Sequence, residues 1–243
     1  MKISSHCYAL TGLGFIPPFE VNSGIIAGGT ATMVVDTGPA YLTARTIYGY
    51  AQVVRPGNRM IAVNLEPHID HFGGNSLFRE KGVPLYGHTK LHRELNAIEQ
   101  NAEEYNASVL DKQRRDLNEG RFFFQKSEVV LPENRIDSES WFDLMGVEAA
   151  VYPLPGHTAA NMIVYVPADH VVFSADNIVT GYLPNLTAGN PELWKQWLTA
   201  LAFIRKLDPK IVVPGHGDIL EGKVIWKEAA RIEEILKQAI DEA

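Results

Sequence analysis

The chain has 243 residues, 46% of them hydrophobic, so one large core can form without covalent staples. A formal net charge of −7 with no block of Lys or Arg weighs against nucleic acid as a partner. Cys7 is the single cysteine, which excludes an intrachain disulfide and a cysteine-rich zinc site.

The first predicted strand lies within residues 3–15 and leads to a turn near Gly12 and Gly14. Pro17 and Pro18 cannot continue a ladder, so residues 15–19 read as an apolar loop. Two β-like runs at 25–27 and 32–35, separated by Gly28 and Gly29, read as a hairpin. Residues 39–54 carry Leu42, Ile47, Ala51 and Val54 and read as a helix ended by Pro56 and Gly57. The apolar run 60–63 reads as a buried strand.

A short helix is expected at 75–80 and a short strand at 83–86. Leu91, Leu95, Ile98, Ala102 and Tyr105 fall on one helical face, and a polar helical segment continues to about residue 119. Residues 122–154 return to strand character, with turns at 132–134 and near Gly146. Strands at 162–166 and 171–173 are joined at 167–169. Asn190, Pro191 and Glu192 form a helix start, and the helix presents Leu193, Trp197, Leu201 and Ile204. A buried strand at 211–213 precedes a terminal helix through Ile225, Ile232, Ile235 and Leu236.

Two mixed sheets facing each other with helices outside satisfy this order. No Ser/Pro/Gly-rich linker divides the chain, so residues 1–243 are read as one domain. No window approaches the roughly 18 apolar residues of a spanning helix. The first residues also lack a signal peptide's apolar core, and the expectation is a cytoplasmic protein that does not enter membranes.

Chemistry is concentrated in Glu-Pro-His-Ile-Asp-His at residues 66–71, released from the end of the 60–63 strand. In an extended segment, Glu66, His68 and Asp70 point to one side, and His71 faces a neighbouring position that suits a second metal. Three later stretches repeat the design: Pro-Gly-His-Thr at 155–158, Ser-Ala-Asp-Asn at 174–177 and Pro-Gly-His-Gly at 214–217. Four strand ends meeting at one edge would gather Glu66, His68, Asp70, His71, His157, Asp176 and His216.

This pattern resembles the metallo-β-lactamase superfamily over nearly the whole chain. The family order is His-x-His-x-Asp-His, a single His, a bridging Asp and a final His, and here Glu66 stands where the first His belongs. Asp36-Thr37-Gly38 is similar to the family's structural Asp-x-Gly. The resemblance implies an αβ/βα sandwich with two divalent ions at one edge. It assigns Glu66, His68 and His157 to the first ion, Asp70, His71 and His216 to the second, and Asp176 as a bridge. A bridging Asp is more similar to the glyoxalase-II and lactonase branches than to the antibiotic-destroying enzymes. The implied activity is cleavage of an ester, thioester, lactone or amide of a small molecule by a hydroxide held between the ions, with Asp70 and Asp176 central to it.

Zinc is the first expectation for the ions. Glu66 adds a hard oxygen and one negative charge, which also accommodates manganese or iron. An iron-dependent oxidoreductase similar to the persulfide dioxygenases is the alternative, and a weakly active binding member is a third reading. Tyr182 and Asn185 are the candidate donors to a substrate carbonyl, with Asn161 ranked below them. The loop at 15–19 reads either as a flap over the site or as packing on the sandwich. His88 and His92 are assigned surface or capping roles near a helix start, and His6 and His170 structural ones. Asp36 is read as a hydrogen-bond acceptor of the fold. Thr158 is read equally as support for a neighbouring ligand and as a plain loop hydroxyl.

Overall fold

A computed structural model describes residues 1–14 and 20–243; the apolar loop expected at 15–19 lies outside the described residues. Strands β1 (Cys7–Leu13), β2 (Val21–Ala27) and β3 (Ala31–Val35) lead into helix α1 (Tyr41–Val54) and strand β4 (Arg59–Asn64). Two short helices, α2 (Ile69–Phe72) and α3 (Asn75–Glu80), precede β5 (Leu85–His88). Next come α4 (Ala97–Ser108), α5 (Lys112–Asp116) and α6 (Glu119–Phe123), and then β6 (Asn134–Ile136), β7 (Ser140–Asp143) and β8 (Glu148–Pro153). Strand β9 (Met162–Val166) passes through a 3-10 turn (Pro167–Asp169) into β10 (Val171–Ala175). Helix α7 (Pro191–Leu207), β11 (Ile211–Pro214), β12 (Leu220–Glu221) and α8 (Lys223–Asp241) complete the order.

Strands β1 to β6 form one sheet in sequence order, antiparallel through β3 and parallel from β3 to β6. The second sheet runs β12-β11-β10-β9-β8-β7, with β10 and β11 its parallel pair. The sheets face each other across Met33, Val35, Val63 and Leu65 on one side and Val151, Val164, Phe173 and Val213 on the other. Helices α1 and α3 cover the outer face of the first sheet through Ile47, Ala51, Leu77 and Phe78. Helices α7 and α8 cover the second through Trp197, Leu201, Ile225 and Ile232. Every residue of β2 and β3 is buried, so β3 reads as a near-continuous apolar run rather than an alternating one, while β2 also buries Asn22 and Ser23. The αβ/βα sandwich expected from the sequence is the observed fold. No helix among the described residues is long and apolar enough to cross a membrane.

Local signals place most elements. The Asn190 side chain accepts the Leu193 N–H at 3.0 Å, capping α7, and Pro191 occupies its first turn. The 88–133 region differs from the pattern reading. Leu91 and Leu95 precede the helix rather than belong to it, and Leu95 is 85% exposed. Leu91 instead donates its N–H to the His88 carbonyl at 2.9 Å, and the Arg93 Nε is tied to the Pro67 carbonyl, which holds this stretch out of α4. The apolar run at 122–124 closes α6 rather than a strand. Phe123 and Phe124 satisfy their burial against Tyr105 of α4 instead of against a sheet.

The sheets are fastened to each other at both ends. At one end Gly29 N–H bonds the Met145 carbonyl at 2.6 Å. At the other, Met162 N–H bonds the Leu65 carbonyl at 2.7 Å and Asn22 N–H bonds the Gly215 carbonyl at 2.8 Å. The second end is where the candidate ligands emerge.

A separate latch joins the N-terminal segment to the 3-10 turn. Asp169 accepts the His6 N–H at 2.7 Å, pairs with His6 Nδ1 at 2.9 Å and accepts the Ser4 hydroxyl. Burial by itself would raise the Asp169 pKa, but the Ser4 and His6 bonds outweigh it and hold the carboxyl below its ordinary value. A depressed folded pKa contributes stability above the unfolded value that is lost as pH falls through the folded one. Asp169→Asn should therefore cost roughly 1–2 kcal/mol at pH 7. In urea unfolding at a series of pH values, the gap to wild type should shrink below about pH 4.

Candidate metal centre

Strand β4 ends at Asn64, the chain bends through residues 66–68, and His68 itself has extended dihedrals (φ −76°, ψ 146°). The chain then turns into α2, so Asp70 and His71 project from a helical turn and not from the extended segment expected for residues 66–70. Ile69 and Phe72, three residues apart on that turn, are buried with Ala40, Ile98, Tyr105 and Phe123. Apolar anchors thus fix one side of α2 while its polar residues face the centre.

The two Pro-Gly-His stretches share a steric logic. A Cβ on Gly156 would lie 2.1 Å from Asn177 Oδ1, and one on Gly215 would lie 1.9 Å from Asp176 Oδ1. Only glycine lets each loop pass this close beneath the polar side chain that follows β10.

Three imidazoles are tied at Nδ1 and turn Nε2 inward. His71 Nδ1 meets Asp36 Oδ2 at 2.8 Å, His157 Nδ1 donates to the Asn185 carbonyl at 3.1 Å, and His216 Nδ1 donates to the Glu20 carbonyl. His157 also donates its N–H to Asn177 Oδ1 at 3.1 Å and sits edge-on to Trp197, with centroids 5.6 Å apart. His68 is turned the other way. Its Nδ1 lies 2.8 and 3.1 Å from the two Glu66 oxygens and 3.1 Å from His157 Nε2.

The inward atoms form three overlapping groups, each with its donors within 4.8 Å of one another: Glu66, His68 and His157; Asp70, His71 and His216; and Glu66, His71 and Asp176. His216 Nε2 is 3.1 Å from Asp70 Oδ2 and 3.4 Å from Asp176 Oδ2. His71 Nε2 is 3.3 Å from Asp176 Oδ1 and 3.4 Å from Glu66 Oε1. His157 Nε2 is 3.6 Å from Asp176 Oδ2. His71 Nε2 and Asp176 Oδ1 are buried and make no hydrogen bond among the described residues. Orphaned donors this deep are what a cation would satisfy, and the imidazole and carboxylate set fits a divalent ion.

Charge balance leads to the same chemistry. Burial opposes the charged form of His71, yet Glu66, Asp36, Asp70 and Asp176 outweigh it and raise its pKa well above the ordinary value. Burial likewise opposes the charged His216, and Asp176 and Asp70 override it. Asp70 is lowered to about 2, because His71 and His216 overcome the upward push of burial. Asp176 is held well below its ordinary value against burial by His216 and His71. Burial lowers the His157 pKa despite Glu66 and Asp176. The carboxylates stay ionised and draw positive charge, supplied by protons on imidazoles or by metal ions.

A cavity of about 420 Å³ opens over the centre. Its walls include Ala97, Gln100, Asn101 and Glu104 of α4, with Val179 and Tyr182 opposite. The Tyr182 ring is 5.9 Å from that of His216. Asn185 also lines the cavity, but its Oδ1 accepts the Thr187 N–H at 2.9 Å and the Thr187 hydroxyl at 2.6 Å. Asn161 is buried away from the cavity, its Nδ2 donating to the Met162 carbonyl at 3.2 Å. Thr158 is buried, with its hydroxyl unbonded among the described residues.

The remaining histidines lie apart from the centre. His88 ends β5 rather than starting a helix, and its Nδ1 accepts the Lys90 N–H at 2.9 Å. His92 is exposed beside Glu94, and His6 belongs to the Asp169 latch. The His170 carbonyl accepts the N–H groups of Lys210 and Ile211.

Asp36 does more than the acceptor role expected of it. One oxygen takes the Leu65 N–H at 2.7 Å and the other fixes His71, so a single carboxylate sets both strand β4's end and an inward imidazole. Sequence reading also missed Asn75. Its Nδ2 bonds Asn64 Oδ1 and the Val130 carbonyl, both at 2.8 Å, while its Oδ1 accepts the Thr37 hydroxyl at 2.8 Å. Thr37 N–H in turn holds the His71 carbonyl at 2.8 Å. No sequence signal marks Asn75, because all of its partners are distant in the chain.

The fold and centre define a class: the chain belongs to the metallo-beta-lactamase superfamily, whose family model matches residues 16–216. A metallo-beta-lactamase from Pontibacter korlensis superposes with a TM-score of 0.72 at 19% identity, covering 98% of this chain and 97% of that one. FIM-1 from Pseudomonas aeruginosa, in its mono-zinc form, gives 0.69 at 21% identity, with 98% and 95% covered. A metallo-beta-lactamase from Hirschia baltica gives 0.67 at 21%, with 96% of each chain covered. At these identities the likeness is one of fold. The alpha subunit of a 2,4-dinitroanisole O-demethylase from Nocardioides sp. (strain JS1661) is 33% identical over 67 residues, 27% of this chain. That match spans 20% of the relative's length.

Asp36→Asn keeps an oxygen for Leu65 but loses the charge that fixes His71. It should weaken divalent-metal affinity by roughly 10–100-fold, measured by competition with a chromophoric chelator, while far-ultraviolet circular dichroism stays that of wild type.

Proposed function

We propose that this protein is a metal-dependent hydrolase that cleaves an ester, thioester, lactone or amide of a small molecule. The observation that carries the reading is the convergence of seven donor residues, two of whose buried atoms, His71 Nε2 and Asp176 Oδ1, make no hydrogen bond among the described residues. Glu66, His68 and His157 would hold one ion, Asp70, His71 and His216 the other, and Asp176, placed against His71, His157 and His216, would bridge them. Two divalent ions supply, when bound, acidification of a water to a pKa near ~7 and polarisation of the bond it attacks.

The chain's own groups do the rest. Asp70, held at a pKa of about 2 by His71 and His216 against burial, stays ionised at neutral pH, as a carboxylate that holds a cation must. Burial and the nearby Glu20 raise the Tyr182 pKa, so its phenol keeps its proton and is a donor to a substrate carbonyl. Asn185 is the second proposed donor, and its backbone carbonyl already orients His157. Glu66 lowers the net charge of the loaded centre relative to a histidine there. Zinc is the proposed ion, with manganese or iron also suited to the added oxygen ligand.

Elemental analysis of protein purified without chelator or affinity-tag metal tests this directly. Close to two equivalents, falling on Glu66→Ala, is the expected result, followed by turnover in a screen of esters, lactones and thioesters. The short match to an O-demethylase subunit adds an activated aryl ether, 2,4-dinitroanisole itself, to that screen. One equivalent, indifferent to Glu66→Ala, would sink the two-ion hydrolase. Oxygen consumption by iron-loaded protein would then test the oxidoreductase reading.

A further inference from the structure

One cation on the cavity wall has no part in holding ions or activating water. Arg93 lies between β5 and α4, is partly buried and lines the cavity together with His68, Asp70 and His157. Its Nε donates to the carbonyl of Pro67, the residue between Glu66 and His68. Its two terminal nitrogens make no hydrogen bond, and no carboxylate lies within ion-pair distance of them, among the described residues. Arg79, Arg114, Arg205 and Arg231 each meet a glutamate instead. Arg93 is therefore a fork of donors held by one nitrogen and left open at the other two, facing the space a substrate would occupy.

We infer that Arg93 anchors a carboxylate on the substrate, so that the bond cleaved belongs to an anionic ester, thioester, lactone or amide. This rests on the hydrolase reading given above. The planar guanidinium matches a carboxylate through two parallel N–H donors, a geometry that a lysine ammonium does not reproduce. The Pro67 carbonyl orients the group in advance, which reduces the ordering cost of binding. Because Pro67 joins Glu66 to His68, the same contact sets the anchored carboxylate at a fixed position relative to the metal-binding segment. Gln100, Asn101 and Glu104 share one face of α4 along the same wall. Glu104, on the same wall, makes no ion pair with Arg93 among the described residues.

The test uses the zinc-loaded 243-residue chain with p-nitrophenyl acetate and mono-p-nitrophenyl glutarate, a neutral and a carboxylated ester with the same leaving group. Wild type should prefer the glutarate ester in kcat/KM. Arg93→Gln should cost that ester about tenfold or more beyond any loss on the acetate, through KM, at unchanged zinc content. Arg93→Lys should restore part of the preference. Equal losses on both esters would show that Arg93 only braces the Pro67 loop and would overturn the proposal, as would no loss on either. Should wild type cleave neither ester, then, separately from the hydrolase reading, calorimetric binding of glutarate against neutral glutaramide decides the anchor. A glutarate advantage abolished by Arg93→Gln supports it, and equal affinities in both proteins overturn it.

Discussion

Four carboxylates, those of Asp36, Glu66, Asp70 and Asp176, are brought with four imidazoles to the edge where two sheets converge. Burying one unpaired charge costs several kcal/mol, and burying several of one sign within a few ångströms costs more. The fold tolerates the cluster because each carboxylate meets at least one imidazole nitrogen, and because the site can add cations. The remainder of this end of the molecule is the scaffolding that such a concentration of charge requires.

That scaffolding works by fixing the outward atom of each ligand. Asp36, Asn185 and Glu20 hold the Nδ1 atoms of His71, His157 and His216, and two of these three use only backbone carbonyls. Backbone acceptors cannot swing away as side chains do, so the inward Nε2 atoms are set by the path of the chain. Asn22 fastens the His216 loop from the opposite sheet, its Nδ2 reaching the carbonyls of Pro214 and Gly217 at 3.0 and 2.8 Å. The helical insertion from α4 to α6 has a double role. Its apolar side buries Ile69 and Phe72 and anchors the turn bearing Asp70 and His71, while its polar side walls the cavity. A change in that insertion would reach the turn bearing Asp70 and His71 as well as the cavity wall.

Glu66 sets this centre apart from the histidine-rich arrangement that the superfamily pattern implies. It is fully buried, and its two oxygens contact His68, His71 and His157. Burial pushes its pKa up, but those imidazoles hold it below the ordinary value, so it stays anionic. A buried glutamate contacting both candidate ion positions is a different electrostatic element from a histidine serving one. In the proposed hydrolase it would lower the charge available to polarise a substrate and add a hard donor, and each effect would bear on which ion is held.

Much of the layout was legible in the chain. The hairpin of β2 and β3, the capped start of α7 and the strand ends carrying His157, Asp176 and His216 all follow from local rules: period, glycine placement, capping chemistry. The family resemblance carried by the ligand motifs also implied an αβ/βα sandwich with metal ligands at one edge. Other features depended on partners far away in sequence. Residues 66–70 read as extended, but buried Ile69 and Phe72 convert their second half into a helical turn. The Phe122–Phe124 run read as a strand, but an aromatic cluster with Tyr105 closes it as a helix. Asn75, Asn22, the dual grip of Asp36 and the open fork of Arg93 have no periodicity or spacing to reveal them. The sequence by itself determined which candidate ligand residues gather at the edge and which strands deliver them. Tertiary structure decided how each is oriented, because orientation depends on hydrogen bonds between segments that meet only once both sheets have closed on their common core.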